Sequence, residues 1–152
     1  MNTEVMFSSK TDQWATPQSF FDMLNEEFHF TLDAAADETN HKCERYFTKE
    51  QDGLNQSWGG ETVFCNPPYG NKETGLWTKK CYEESLKPNT TVVLLIPART
   101  DRASFHDYIY NKAEIRFVRG RLKFGDGSSP APFPSMVCIF GRKERENDKR
   151  RD

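Results

Sequence analysis

Residues 90–96 (TTVVLLI) form an unbroken run of β-branched and aliphatic side chains, which is the pattern of a strand buried on both faces. Upstream, residues 61–65 (ETVFC) predict a second strand, and residues 30–33 (FTLD) predict a short one that ends at Asp33. Helices are predicted before, between and after these strands, at residues 16–28, 34–36, 74–87 and 101–112. Strands that alternate with helices in this way predict an α/β sandwich with a mostly parallel sheet.

The two ends of the chain complete this outline. Thr16 and Pro17 are expected to open the first helix, as its N-cap and its first helical residue. Two strands that would form an antiparallel hairpin at the sheet edge are predicted at residues 115–124 and 136–140. One domain is expected at residues 1–141, followed by a charged and flexible tail at residues 142–152.

The overall charge of the chain hides an asymmetry. The net charge is −2, yet residues 1–70 hold 4 basic and 12 acidic residues, whereas residues 71–152 hold 17 basic and 11 acidic residues. This division suggests an acidic surface for a cationic ligand and a basic surface for a polyanion. Solvated helix faces that differ by chance would give the same numbers.

Composition also narrows the class of protein. No apolar run approaches the roughly 20 residues of a membrane span, and no signal-peptide pattern opens the chain, so we expect a soluble, cytoplasmic protein without a membrane partner. The four cysteines lack CxxC spacing, which predicts free thiols. His41 and Cys43 have no second pair of ligands nearby, and we predict no metal site.

A rigid polar loop follows the second predicted strand. Asn66 lies at the carboxyl end of that strand, as Asp33 does on its own, and such ends bind ligands in α/β sheets. Pro67 and Pro68 fix their φ angles and donate no N–H, so neighbouring carbonyls stay free as acceptors. The Asn66 side-chain oxygen and the Pro67 carbonyl could hold both N–H groups of a planar amine while Tyr69 stacks on its ring. A rigid turn is the alternative interpretation.

Several stretches, taken in order, resemble the phage-encoded, Dam-like DNA adenine methyltransferases, which belong to the class I amino-directed methyltransferases. The resemblance runs from about Asp12 to Gly141. It rests on residues 12–17 (DQWATP), 32–35 (LDAA), 45–47 (RYF), 52–54 (DGL) with Trp58, 66–70 (NPPYG), 121–124 (RLKF) and 132–135 (PFPS).

The resemblance implies a fold, an activity and a set of catalytic residues. The fold would be a compact Rossmann-like class I methyltransferase sandwich. The activity would be transfer of a methyl group from S-adenosyl-L-methionine to the exocyclic amine of a flipped adenine in double-stranded DNA. The catalytic loop would be Asn66, Pro67, Pro68 and Tyr69, and a bacterial host's cytoplasm would be its location if the chain is phage-encoded.

A cofactor site is also implied by the resemblance. Trp14, Thr16 and Pro17 match the segment that holds the methionine end of the cofactor in amino methyltransferases. Asp33 matches the acid of the first cofactor motif, where it would take the cofactor's ammonium group or organise its bound water. The usual glycine-rich turn after this acid is replaced by residues 34–36, which are alanines.

Two further acids each have two interpretations. Asp37 is a candidate for the ribose hydroxyls of the cofactor, or a surface carboxylate. Asp52 would reach the adenine amino group of the cofactor, as the acid of the third motif does in related enzymes, or it is a turn aspartate before Gly53.

A basic row is the candidate for contact with DNA. Arg119, Arg121 and Lys123 alternate along a predicted strand and so would share one face, where they could meet a phosphate backbone. A solvated edge strand protected by its charges is the alternative. Only two loops, at residues 70–75 and 125–134, are expected to touch bases, which predicts a short or permissive target sequence and leaves the oligomeric state open.

Other functions fit the same loop. It could hold the amino group of cytosine, a base in RNA, or a glutamine amide in a protein, and a non-catalytic DNA-binding protein could retain a methyltransferase scaffold. Cytosine enzymes more often carry Ser in place of Asn66, and the protein-directed group usually has an additional N-terminal domain. An intact Asn66 loop together with Thr16 and Pro17 argues against the non-catalytic alternative.

Overall fold

The buried run at residues 90–96 belongs to the central strand of a five-stranded sheet in the computed structural model, which describes residues 14–142. In chain order the strands are β1 (Leu32–Asp33), β2 (Thr62–Cys65), β3 (Thr91–Pro97), β4 (Glu114–Phe117) and β5 (Ser135–Phe140). The helices are α1 (Gln18–Phe28) and α2 (Asn71–Ser85), with a 3-10 turn at Gly53–Asn55 and a π-helical turn at Phe105–Ile109.

The sheet has the strand order β1-β2-β3-β5-β4. The first three strands are parallel, whereas β5 runs antiparallel to both of its neighbours. This confirms the predicted α/β class, the parallel start of the sheet and the antiparallel pair at its end. Because β1 and β2 are parallel neighbours, Asp33 and Asn66 leave the sheet at the same edge.

The core lies on both faces of this sheet. Every residue of β3 and of β5 is buried, as their apolar runs predict. Helix α1 contributes Phe21, Leu24 and Phe28 to the core. The Phe21 ring meets the Phe64 ring of β2 edge to face, with centroids 5.1 Å apart, so α1 is fixed directly over the strand that leads to Asn66.

Two local predictions near the N-terminal half are wrong. Helix α1 begins after Pro17, and the Thr16 hydroxyl does not cap it, because that oxygen accepts a hydrogen bond from Asn66 instead. Residues 34–36 form no helix. The backbone N–H of Ala34 donates to Phe64 O and that of Ala36 to Phe47 O, so these amides are occupied by neighbouring segments.

Two predictions in the C-terminal half also need correction. The helix predicted at residues 101–112 is reduced to a short helical segment ending in the π-helical turn, in which the Tyr110 N–H donates to Phe105 O. The strand predicted at residues 115–124 ends at Phe117, and the chain then turns at Gly120, whose φ is +75°. The basic row at residues 119–123 therefore lies on a loop, and strand alternation does not align it.

Other expectations can be compared with the structure only in part. All four cysteines are free thiols, and Cys65, Cys81 and Cys138 are buried. Among residues 14–142, no helix is long and apolar enough to cross a membrane. The predicted charged tail lies outside the described residues except for Arg142.

Gly53 brings the loop after β1 close to the strand end. A Cβ built on Gly53 would lie 2.3 Å from Ala34 O, a distance that no real Cβ tolerates. The Gly53 carbonyl accepts a hydrogen bond of 3.0 Å from the Trp58 indole N–H, which fixes the glycine from the other side. Only glycine fits this position without moving the strand end.

We expect Gly53→Ala to lower the free energy of unfolding by about 1–3 kcal/mol, because the added methyl group overpacks a backbone contact. Gly75→Ala is the matched control. Gly75 lies inside α2, and a Cβ added there would meet its nearest atom, Ser104 Cβ, at an ordinary contact distance of 3.8 Å, so the same substitution should stabilise the protein by about 0.5–1 kcal/mol. Urea unfolding of both variants measures this, and equal effects of the two would contradict the close approach at Gly53.

Candidate active site

A cavity of about 480 Å³ opens where β1 and β2 end. Nine of the ten residues predicted for catalysis or cofactor binding line it: Trp14, Thr16, Asp33, Asp37, Asp52, Asn66, Pro67, Pro68 and Tyr69. The tenth, Pro17, is absent from the wall and instead precedes α1, where its carbonyl accepts from Phe21 N–H. The structure thus brings together residues that are up to 55 positions apart in the chain (Trp14 to Tyr69).

The Asn66 side chain is held from three sides. Its Nδ2 donates to the backbone carbonyl of Trp14 and to Thr16 Oγ1, at 2.5 and 2.8 Å. Its Oδ1 accepts a hydrogen bond of 2.6 Å from the Tyr69 hydroxyl. Both N–H bonds of the carboxamide are therefore used, which fixes its orientation, and Oδ1 retains acceptor capacity for one more partner.

Tyr69 acts as a buried donor in this network. Its hydroxyl also lies 3.2 Å from Leu95 O on β3, which gives the single proton a second acceptor. The side chain is only 7% exposed, and burial holds the pKa of Tyr69 well above its ordinary value. The hydroxyl therefore stays protonated at neutral pH.

The rings of Trp14, Tyr69, Phe124 and Phe133 pack together beside the Asn66 side chain. Phe124 and Phe133 each meet the Tyr69 ring and the Trp14 ring edge to face, with centroid separations between 5.2 and 6.2 Å. Both phenylalanines lie on the long connection between β4 and β5. The residues 121–124 and 132–135, which carried part of the resemblance, contain these two rings. Sequence reasoning did not place them at the site.

Asp33 is a buried carboxylate with one unused oxygen. Its Oδ2 accepts a hydrogen bond of 2.9 Å from the Lys42 backbone N–H, whereas Oδ1 has no hydrogen-bond partner within residues 14–142. The residue is 3% exposed, and this burial raises its pKa to about 6 against the opposing effects of the Lys42 and Ala35 backbone N–H groups. An unpaired oxygen at the wall of a cavity suits a cationic or hydrogen-bond-donating ligand.

Asp37 and Asp52 line the cavity and also accept hydrogen bonds that stabilise the loops in which they lie. Burial raises the pKa of Asp37, but hydrogen bonds from Thr39 and Asn40 to its Oδ1 outweigh this effect and keep the pKa below its usual value. Asp52 has a left-handed backbone with φ of +58°, and its Oδ2 accepts from the Asn55 side chain. Position at the cavity and a local structural role are compatible for both acids.

Sequence reasoning missed several wall residues. Lys42 and Lys49 bring positive charge to the cavity, and Phe47 and Trp77 bring aromatic surface. Phe47 was within a matched stretch, but no local pattern singled out the others. Among residues 14–142, no group of three or more His, Cys, Asp or Glu side chains could hold a metal ion.

The basic row does not reach this cavity. Arg119, Arg121 and Lys123 are exposed on the loop after β4. Arg121 Nη1 donates to Ala131 O at 3.2 Å, so its side chain also helps to close that loop. A second cavity of about 300 Å³ shares Trp14 and Tyr69 with the first.

Asp33 should make stability depend on pH in a defined direction. The folded protein binds this proton more tightly than the unfolded chain, since the pKa rises from 3.8 to about 6 on folding. Ionisation of Asp33 therefore costs stability as pH rises through this interval. Asp33→Asn has no charge to bury. We expect it to gain stability relative to the wild type from pH 4 to pH 7, by up to about 3 kcal/mol.

Urea unfolding of both proteins across this pH range measures the difference. The exposed Asp107→Asn variant controls for the loss of one negative charge. If the free energies of unfolding of Asp33→Asn and wild type differ by a constant amount across this pH range, the Asp33 carboxylate is not buried and unpaired.

Comparison with known proteins identifies the family. The model of the family DNA N-6-adenine-methyltransferase (Dam) matches residues 3–148. A DNA N-6-adenine-methyltransferase of Escherichia phage T1 is 33% identical over 140 residues, which are 90% of this chain and 58% of the relative. One of Haemophilus phage HP1 (strain HP1c1) is 30% identical over 143 residues, which are 89% of this chain and 82% of the relative.

A shorter match involves a putative methyltransferase, YfdM, of Escherichia coli (strain K12), which is 38% identical over 65 residues, or 38% of this chain and 71% of the relative. The chain thus spans a little over half the length of the T1 protein and about four fifths of the HP1 protein. The family match covers most of the chain and agrees with the resemblance noted in the sequence. This chain belongs to the DNA N-6-adenine-methyltransferase (Dam) family.

Proposed function

We propose that this chain transfers a methyl group from S-adenosyl-L-methionine to the exocyclic N6 amine of adenine in double-stranded DNA. The observation that carries the proposal is the fixed Asn66 carboxamide, whose two N–H bonds are occupied while Oδ1 can still accept. The names of the family and of both phage relatives support adenine as the target.

The residues of the larger cavity fit the cofactor. Its volume of about 480 Å³ falls within the range of about 300–1,000 Å³ that is usual for small-molecule sites. The unpaired Asp33 Oδ1 suits the ammonium group of the methionine portion, which is cationic at neutral pH. Asp37 and Asp52 would hold the ribose hydroxyls and the adenine amino group. When bound, the cofactor supplies an electrophilic methyl group on a sulfonium centre.

The position of the cavity supports a Rossmann-like class I methyltransferase sandwich as the finer description of the fold. Ligands of open α/β sheets bind at the carboxyl ends of the strands, and this cavity lies where β1 and β2 end. Trp14 and Thr16 enter the same site from the segment before α1 because Asn66 binds them both. They would face the methionine end of the cofactor.

Catalysis by this site would depend on positioning. The exocyclic nitrogen of adenine is a poor nucleophile because its lone pair is delocalised into the ring. Asn66 Oδ1 and the Pro67 carbonyl would accept one N–H each, which favours a tetrahedral nitrogen whose lone pair points at the methyl group. The proton leaves after the N–C bond has formed, so a strong general base is not required. Alignment of this kind can lower the free-energy barrier of a reaction by about 7 kcal/mol or more.

Tyr69 would guide the base into this geometry. Its hydroxyl is tied to Asn66 and lies near Leu95 O, and two edge-on phenylalanine contacts support its ring. A base turned out of the duplex would stack on this ring, a contact worth about 1–3 kcal/mol. The exposed Arg119, Arg121 and Lys123 would meet the DNA backbone from the loop that also carries Phe124.

A labelling experiment tests the proposed reaction. The protein is incubated with radiolabelled S-adenosyl-L-methionine and unmethylated DNA, and the DNA is digested to nucleosides. We expect the label in N6-methyldeoxyadenosine. Label in cytidine, in RNA bases or in protein, or no label at all, would overturn the proposal.

Asn66→Ala should lower methyl transfer by at least about 100-fold, by analogy with the loss of one hydrogen-bonding group from other active sites. Cofactor affinity, measured by calorimetry, should fall far less than the rate of transfer, because Asp33 remains. Asn111→Gly is the matched control, since Asn111 is exposed and has a left-handed backbone that glycine accepts. Retained transfer in Asn66→Ala would remove the proposed role of this residue.

A further inference from the structure

The second cavity has a composition unlike the first. Its volume is about 300 Å³, and the described residues that line it include two arginines and no carboxylate. The apolar part of its wall comes from Ile96, Phe105, Ile109, Phe133 and Met136. Basic side chains beside apolar and aromatic wall residues are suited to a ligand with an anionic group and an apolar or aromatic ring.

The two arginines lie directly after the central strand. Arg99 and Arg102 follow β3, which ends at Pro97 and is the parallel neighbour of β2. A tight turn holds them together, because the Arg99 N–H donates to Pro97 O and the Arg102 N–H donates to Arg99 O. Both side chains are thus placed at the same sheet edge as Asn66.

Neither arginine has a carboxylate partner within residues 14–142. The Arg99 guanidinium lies 5.9 Å from the centre of the Phe133 ring, and Arg102 is half-buried. Arg45 and Arg116, in contrast, each form an ion pair with a glutamate. A guanidinium group left unpaired at a cavity is a ready partner for phosphate, which it can bind through two parallel hydrogen bonds.

Two residues connect this cavity to the reaction site. Trp14 and Tyr69 line both cavities, and the Tyr69 hydroxyl is bonded to Asn66 Oδ1. A nucleotide in the second cavity would therefore have its base beside Tyr69, with its phosphate toward the arginines. The phosphate and the base would then lie in the second cavity, the Asn66 acceptor would lie between the two cavities, and the methyl donor would lie in the first.

We propose that Arg99 and Arg102 bind the backbone phosphate next to the target adenine and so position the extruded nucleotide. This inference rests on the proposed function. It adds two DNA-binding residues that lie on a different segment from the basic row at residues 119–123. Arg99 and Arg102 are positioning residues, because they act on the nucleotide through its phosphate and do not contact the reacting amine.

Binding of a fluorescent single-stranded dodecamer of deoxyadenylate tests this without knowledge of the target sequence or any need for turnover. Each phosphate contact in a single strand contributes about 0.7 to the slope of log affinity against log salt. We expect the variant Arg99→Gln/Arg102→Gln to lose about tenfold in affinity and to flatten this slope by about 0.7, because both arginines bind the same phosphate. Arg99→Lys/Arg102→Lys keeps both charges and should retain most of the slope.

Lys79→Gln/Lys112→Gln is the charge-matched control, since both lysines are exposed and outside the two cavities. An Arg99→Gln/Arg102→Gln variant that binds the dodecamer like this control, while wild-type protein methylates DNA, would refute the inference and leave the proposed function intact. Wild-type protein that binds the dodecamer through Arg99 and Arg102 but transfers no methyl group would refute the proposed function and support the phosphate site.

Discussion

The hydrogen bonds of the Asn66 carboxamide hold the two halves of the site together. Through Nδ2 they fix the segment before α1 by way of Trp14 and Thr16, and through Oδ1 they fix Tyr69. Each such bond contributes only about 1 kcal/mol to stability. Their effect is mainly geometric, because they join residues 50 or more positions apart to the loop that follows β2.

The larger cavity contains, besides this fixed amide, a buried carboxylate whose hydrogen-bonding capacity is not fully used. In the part of the chain that the structure describes, one Asp33 oxygen has no partner, and the raised pKa of this residue reflects the cost of burying its charge. A buried carboxylate of this kind lowers the free energy of unfolding of the ligand-free protein and raises its affinity for a cation. Functional sites commonly lower stability in this way. Gly53, from a separate loop, packs closely against the backbone carbonyl of Ala34, the residue that follows Asp33.

Sequence patterns predicted the parts of the fold that depend on burial. The apolar runs of β2, β3 and β5 located the sheet, and the strand ends located Asp33 and Asn66. Predictions failed where tertiary hydrogen bonds compete with local preference. Ala34 and Ala36 look helical, yet their amides bond to Phe64 and Phe47. Arg99 and Arg102 carry no local signal, because their significance comes from a cavity formed by distant segments.

Hydrogen exchange of the Asn66 side-chain amide, followed by NMR in the cofactor-free protein, tests the central claim most directly. Both Nδ2 protons are donated to protein oxygens, so they should exchange with water markedly more slowly than those of the exposed Asn111. Thr16→Val removes one acceptor and should speed the exchange. Equal exchange rates for Asn66 and Asn111 in the wild type would contradict a carboxamide that is oriented before its ligands bind.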